Sequence, residues 1–193
     1  MEVERYAVVD VETTGFSPTR DHVVEIGCVL IDGDAVVYRW GTLVNPGIAI
    51  PEHATAIHGI TDKMVATAPD LGAALTQLRK LCGRRTIAAH SAPFDLSFLG
   101  PAFATQALCT MRLARAVFPE APNHKNQTLR KYLSIDDAIG EDLGTHRALD
   151  DAIVTAHILI ACRRRVLAGS PSQSWERFTR TRATVTLSSK CAA

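Results

Sequence analysis

The sequence lacks the features that mark membrane, secreted or disulfide-rich proteins. No uncharged apolar run reaches the length of about 18 residues that a membrane-spanning helix needs. The acidic N-terminus, residues 1–5, does not have the pattern of a signal peptide. The five cysteines form no Cys-x-x-Cys pair, which argues against a disulfide framework and a zinc knuckle. We therefore expect a cytoplasmic protein without membrane contacts, and the 47% of hydrophobic residues excludes a wholly disordered chain.

The chain also has no excess of charge of one sign, but its charge is unevenly distributed. It contains 21 basic and 20 acidic residues, and residues 163–193 hold seven of the basic ones and one acid, Glu176. This segment therefore carries a charge of +6 and residues 1–162 carry −5. We predict a domain of residues 1–168 and a basic C-terminal tail of residues 169–193. The tail could dock a partner, contact phosphates or remain solvated, and Trp175 and Phe178 could anchor a partner or pack back on the domain.

The hydrophobic pattern predicts three strands followed by alternating helices and strands. Apolar runs predict strands at residues 6–11, 23–31 and 35–44, then a loop at 45–60 and a short strand at 86–89. Helices are predicted from the stripe of Leu71, Leu75, Leu78 and Leu81, after His90 as far as Leu99, and at residues 111–117, 128–133 and 146–167. This order predicts an α/β domain with a mixed sheet flanked by helices. A site is expected at the carboxyl ends of the central strands.

Two carboxylates end the first predicted strand. Asp10 and Glu12 are two residues apart, so both point to the same face of a strand. Neighbouring carboxylates repel one another unless a cation lies between them. Hard oxygen ligands of this kind suit Mg²⁺ or Mn²⁺, although the pair alone could be ordinary polar residues at a strand end.

Further acidic residues and a histidine begin two of the predicted helices. Asp95 lies in the first turn of the helix that follows His90, and His146 and Asp151 lie at the start of the long helix, with Thr145 as its expected N-cap. Asp150 is about 100° from Asp151 on a helix, so only one of them can face a shared site. Four carboxylates around two cations, beside an imidazole that can accept a proton from water, form a two-metal hydrolase arrangement.

Three segments, in this order, resemble the exonuclease motifs of the DEDDh 3′→5′ exonucleases, the family that includes the proofreading (epsilon) subunit of bacterial DNA polymerase III. They are Asp10-Val11-Glu12-Thr13-Thr14-Gly15, Ala89-His90-Ser91-Ala92-Pro93-Phe94-Asp95 and His146-Arg147-Ala148-Leu149-Asp150-Asp151. The segment Ala56-Ile57-His58-Gly59-Ile60-Thr61 resembles the loop that receives the 3′-terminal nucleotide. The resemblance covers about residues 5–162. The sequence departs from the second motif at Ser91, where the family often has Asn, and this difference removes no metal ligand.

The resemblance implies a ribonuclease H-like fold with a mixed five-stranded sheet. It implies that Asp10, Glu12, Asp95 and Asp151 hold two Mg²⁺ or Mn²⁺ ions and that His146 is the general base. It assigns the metal-ligand role to Asp151 rather than Asp150. Residues that it places around the terminal nucleotide are Val11, Thr13, Thr14, His58, Gly59, Ile60, His90 and Phe94, of which Phe94 could equally be a core residue.

The function implied is a metal-dependent 3′→5′ exonuclease that acts on single-stranded or frayed DNA 3′ ends and releases nucleoside 5′-monophosphates. An RNA-trimming exoribonuclease of the same family is an alternative, because contacts to the 2′-position are not visible in the sequence. A second alternative is a catalytically silent module that binds nucleic acid or, through the C-terminal tail, a DNA polymerase subunit. All five catalytic positions are nevertheless filled. A phosphatase with Asp10 as nucleophile would favour Asp in place of Glu12.

Overall fold

A computed structural model describes residues 3–140, 143–169 and 175–186. The elements, in chain order, are β1 (Arg5–Thr13), β2 (Val23–Asp32), β3 (Ala35–Leu43), α1 (Glu52–His58), α2 (Asp62–Val65), α3 (Leu71–Cys82), β4 (Thr86–Ala89), α4 (Ala92–Leu99), β5 (Gln106–Cys109), α5 (Thr110–Val117), α6 (Asn126–Tyr132), α7 (Ile135–Ile139), α8 (Ala148–Gly169), α9 (Trp175–Arg182) and β6 (Thr184–Thr186). None of the helices described is both long and apolar enough to cross a bilayer.

The described strands form one mixed sheet in the order β3-β2-β1-β4-β5-β6. Strands β1, β4 and β5 are parallel and occupy the middle, while β2, β3 and β6 pair antiparallel to their neighbours. The predicted mixed sheet flanked by helices is confirmed, but the sheet has six strands instead of five. The sixth is β6, which lies in the segment predicted to be a tail.

Helices cover both faces of this sheet, and β1 contributes alternate side chains to the core on each face. Tyr6 and Val8 join the core that includes the buried face of α8, whereas Ala7, Val9 and Val11 join the core formed with α3 and α4. The alternation follows the two-residue period of a strand. It also places the side chains of residues 10 and 12 on the face that α8 covers.

The described part of the predicted tail packs against the domain. Trp175 is buried, and its indole N–H donates a 2.5 Å hydrogen bond to the hydroxyl of Tyr6 in β1. Arg163, Arg164 and Arg165 at the end of α8 pair with acids of the domain, namely Glu4, Asp34 and Glu120. Three of the seven basic residues at 163–193 are therefore paired with acids of the domain, and these three precede the predicted tail. Trp175 belongs to the core.

Candidate active site

Glu12, His146 and Asp151 converge at the C-terminal end of β1. Each offers one ligand atom, and these three atoms all lie within 4.8 Å of one another. Glu12 is half-buried, His146 is exposed and Asp151 is buried, so the cluster is open to solvent on one side. The structure thus brings the end of the first strand to the beginning of the last long helix.

Asp10 and Asp95 form the buried side of the same acidic group. Asp95 is 3% exposed, and backbone N–H groups, including those of Val11 and Ser91, donate hydrogen bonds to its carboxylate. Burial raises the pKa of Asp10 well above its ordinary value, and the nearby charges of Asp95 and Asp151 raise it further. All four predicted carboxylates are therefore close enough to influence one another.

The carboxylates of this site hold protons more tightly than free carboxylic acids do. Burial raises the pKa of Asp95 to about 7. Burial and the charge of Asp151 raise the pKa of Glu12 to about 8. The pKa of Asp151 is also raised by burial, an effect that His146 opposes. Four crowded acidic oxygen donors without enough compensating positive charge fit a site for hard divalent cations.

Asp151 faces the cluster and Asp150 does not. A hydrogen bond of 2.6 Å runs from the side-chain amide of Gln127 to Oδ1 of Asp151, and Asn126 donates to the backbone oxygen of the same residue. The carboxylate of Asp150 instead accepts a hydrogen bond from the backbone N–H of Gly144. Two side chains of helix α6 therefore orient Asp151.

His146 lies just before α8, in an unusual backbone conformation. The helix begins at Ala148, so Thr145 lies two residues too early to be its N-cap, contrary to the prediction. His146 has φ of 57°, in the left-handed region that residues other than glycine seldom adopt. This conformation costs of order 1–3 kcal/mol and persists only where the surroundings enforce it.

A pocket of about 300 Å³ adjoins the acidic cluster. It is lined by Val11, Glu12, Thr13, Gly15, Phe16, His53, Ala54, Ile57, His58, Phe94 and His146. Phe16 is 80% exposed and Ile57 is 50% exposed, so the rim offers apolar surface to solvent. Both residues, together with His53 and Ala54, were missed by the sequence analysis, which predicted a loop where α1 forms.

His58 has a polar atom directed into its buried surroundings. Its Nδ1 accepts a hydrogen bond from the N–H of Ile60, so Nε2 carries the proton. The Nε2 atom has almost no exposed surface and no well-aligned hydrogen-bond partner among the described residues, and the backbone of Thr13 lies close enough to the ring to oppose the lowering of its pKa by burial.

Four further residues predicted to bind the nucleotide make contacts within the fold. Both ring nitrogens of His90 are engaged, one with the hydroxyl of Thr110 and one with the backbone oxygen of His124, and burial lowers the pKa of His90 to about 4. The N–H of Thr14 donates to the backbone oxygen of His22, and its hydroxyl accepts a hydrogen bond in return. Both residues therefore make hydrogen bonds within the fold, and their contact with a nucleotide stays a prediction.

The remaining two lie at the end of α1. Gly59 ends α1 with φ of 71° and donates its N–H to Thr55. The side chain of Ile60 is completely buried in a small separate core. Of the segment His58-Gly59-Ile60, only His58 therefore lines the pocket.

A mixed sheet with this acidic cluster at the end of its first strand defines the ribonuclease H-like exonuclease class. The exonuclease family RNase_T matches residues 7–159, and the chain belongs to this family. The predicted relationship to the DEDDh exonucleases and to epsilon-type proteins is confirmed.

Individual relatives and a solved structure support this assignment. The chain is 31% identical over 163 residues to the DNA polymerase III subunit epsilon of Aquifex aeolicus, covering 80% of this chain and 78% of that protein. It is 39% identical over 165 residues to a DNA polymerase III subunit epsilon-like protein of Rhodobacter capsulatus, covering 80% of this chain. The structure of Exonuclease X in complex with 5′ overhanging duplex DNA superposes with a TM-score of 0.74 and 29% identity, covering 91% of this chain and 98% of that one.

Some relatives are much longer than this chain. The chain spans only 23% of the R. capsulatus protein and 12% of a PolC-type DNA polymerase III from Bacillus cereus. The similarity therefore concerns the exonuclease domain.

Proposed function

We propose that this protein is a 3′→5′ exonuclease that hydrolyses phosphodiester bonds at single-stranded or frayed DNA 3′ ends and releases nucleoside 5′-monophosphates. The observation that carries the proposal is the convergence of Glu12, His146 and Asp151 beside a pocket of about 300 Å³. Asp10 and Asp95 complete the acidic group from the buried side.

Two divalent cations, Mg²⁺ or Mn²⁺, fit the donor set of Asp10, Glu12, Asp95 and Asp151. When bound, they would stabilise negative charge on the scissile phosphate and acidify the attacking water. The raised pKa values of Glu12 and Asp95 support this assignment, because bound cations would offset the cost of burying both carboxylates and, at Glu12, the repulsion from Asp151.

The protein's own groups act on the water and on the terminal nucleotide. His146 is exposed beside the carboxylates, where its imidazole accepts a proton from the attacking water. The new P–O bond forms as the bond from phosphorus to the 3′-oxygen of the preceding nucleotide breaks, and that oxygen takes up a proton. Glu12 lines the pocket, and we expect it to contact the terminal 3′-hydroxyl.

The pocket favours an unpaired 3′ end. Val11, Ile57 and Phe94 offer apolar surface to a base or sugar, and His58 lines the same pocket. A terminal base must leave its partner strand before it can enter such a pocket. Single strands should therefore be cleaved faster than blunt duplexes.

The relatives named as DNA polymerase III subunits favour DNA over RNA as the substrate of this protein. They also favour a role in association with a DNA polymerase. The test is degradation of 5′-labelled single-stranded DNA and of the matching RNA, with Mg²⁺, Mn²⁺ or EDTA. We expect a metal-dependent ladder that shortens from the 3′ end, faster on DNA. Faster shortening of RNA would make the protein an exoribonuclease, and a folded protein that cleaves neither would refute the proposal.

A further inference from the structure

A carboxylate from a distant strand occupies the N-terminus of α8. The Oε2 atom of Glu25, in β2, accepts a hydrogen bond of 2.9 Å from the backbone N–H of Ala148, the first residue of the helix. This N–H is one of four that have no partner within a helix. A negative charge at this position also interacts favourably with the helix dipole. A residue far away in sequence thus supplies the cap that Thr145 was expected to provide.

The same carboxylate holds Arg147. The guanidinium Nη2 donates to Oε1 at 2.6 Å, and Nε donates to Oε2 at 3.1 Å. The Glu25 side chain is 6% exposed, whereas that of Arg147 is 43% exposed. Glu25 therefore fixes residues 147 and 148 together. His146 immediately precedes this pair, and Asp151 follows within the next helical turn.

The strand register explains why Glu25 needs this partner. Glu12 of β1 lies directly opposite Glu25 of β2. Like charges at directly opposed positions destabilise a sheet. Because Glu25 turns towards Arg147 and the N-terminus of α8, its charge is compensated there, and Glu12 stays available to the acidic cluster.

Two paired glycines allow the helix to lie this close. Gly27 of β2 is opposite Gly41 of β3, and Gly27 also pairs with Asp10. A Cβ atom at Gly27 would lie 2.1 Å from the backbone oxygen of Ala148, and one at Gly41 would lie 3.2 Å from Cβ of Leu149. The first turn of α8 therefore rests directly on the backbone of the sheet.

We propose that Glu25 is a positioning residue for this active site. By capping α8 and holding Arg147, it keeps the side chains of His146 and Asp151 close to that of Glu12. The proposal rests on the exonuclease function proposed above. It gives the strained conformation of His146 a physical cause, since Arg147, the residue that follows, is held by the buried carboxylate of Glu25. Loss of the clamp should let His146 relax and should shift Asp151 away from Glu12.

The principal test is Glu25→Gln, which keeps the size of the side chain but removes its charge. Turnover on 5′-labelled single-stranded DNA should fall by roughly 10–100-fold, because misplacing catalytic groups by about 1 Å costs that much. The KM should stay within about twofold of wild type, since the pocket does not include Glu25. The affinity for Mn²⁺ alone, measured by electron paramagnetic resonance, should also decrease as Asp151 moves.

Arg147 provides a milder variant and a check on coupling. Arg147→Lys keeps the charge but cannot make the two-point contact, and it should also lower turnover. The pair Glu25→Gln and Arg147→Gln should show strong non-additivity, with the double variant about as slow as the slower single one. Glu4→Gln is the matched control, because Glu4 pairs with Arg163 outside the site.

Loss of stability alone would give a different pattern. In that case the turnover of Glu25→Gln would recover on cooling, and Mn²⁺ affinity would match that of Glu4→Gln at low temperature. That result would overturn the proposal, as would wild-type turnover and Mn²⁺ affinity in both Glu25→Gln and Arg147→Lys. If Glu25→Gln does not fold, Arg147→Lys decides by the same two measurements. If the wild type cleaves no nucleic acid, the proposed function fails, while the Mn²⁺ comparison still tests the role of Glu25.

Discussion

The acidic cluster should make the metal-free protein less stable as the pH rises. The pKa of Asp95 in the folded protein is about 7, against an ordinary value of 3.8, and that of Glu12 is about 8, against 4.5. Since both values are raised by folding, the folded state binds more protons than the unfolded state between about pH 4 and pH 8. The stability that these protons confer is complete below about pH 4 and is lost as the pH rises through the folded values.

The size of this effect follows from the pKa of Asp95. One pKa unit corresponds to about 1.4 kcal/mol. Between pH 5 and its folded pKa of about 7, Asp95 alone therefore accounts for a loss of roughly 2–3 kcal/mol in the free energy of unfolding. For a protein of this size, that corresponds to a decrease in Tm of about 5–10 °C. Glu12 and Asp10 add to the loss, but by less than their separate values, because a proton on one carboxylate relieves its neighbours.

Thermal unfolding in EDTA at pH 5 and pH 8 measures the effect, and Asp95→Asn isolates it. At pH 8 this variant should be more stable than wild type, with the difference shrinking towards pH 5. Asp137→Asn, at an exposed site on α7, is the control and should change the free energy of unfolding by less than about 0.5 kcal/mol. Mn²⁺ should raise the Tm of wild type more at pH 8 than at pH 5. At one hundred times its Kd it should add about 2.7 kcal/mol per site to the free energy of unfolding. A wild-type Tm in EDTA that does not fall towards pH 8, or an Asp95→Asn variant no more stable there, would refute this reasoning.

Four further predictions concern single side chains. Asp151→Asn should abolish cleavage with little loss of folding, whereas Asp150→Asn should leave turnover within about twofold, because the second carboxylate only accepts the N–H of Gly144. His146→Ala should lower turnover by roughly 10²–10⁴-fold with little change in DNA affinity, and an unchanged rate would remove it as the general base. Gly41→Ala should lower turnover several-fold by lifting the first turn of α8 by tenths of an ångström, with unchanged KM for single-stranded DNA. Tyr6→Phe should cost about 1–3 kcal/mol in chemical denaturation without changing turnover, since it leaves the indole N–H of Trp175 buried and unpaired.

The sequence predicts most of the sheet because long apolar runs are strong signals. Strands β1, β2 and β3 and helix α8 lie within two or three residues of their predicted bounds. Strand β5 was missed because α5 follows it without a loop, so its four residues cannot be separated from the helix by their apolar pattern alone. Strand β6 was missed because its residues, Thr-Val-Thr, lie in a polar segment and gain their burial only by pairing with β5.

Helix α1 was missed even though its sequence carries the usual boundary signals. Pro51 and Glu52 stand at its start, and Gly59 follows its last residue, an arrangement typical of helix ends. Recognising it would have placed His53, Ile57 and His58 near one another on the helix, and all three line the pocket. The apolar rim of the pocket could therefore have been predicted from the sequence.

Glu25 could not have been found in this way, and the reason concerns how the site is built. It lies within an otherwise apolar strand, and its partner Arg147 is 122 residues away along the chain. Only the fold shows that its charge opposes Glu12 and is compensated by Arg147 and the N-terminus of α8. Crowded carboxylates and a left-handed His146 each oppose folding, and such local conflicts are expected where function requires them. Both of these unfavourable features lie at the start of α8. The buried carboxylate of Glu25 at that turn therefore serves both stability and the geometry of catalysis.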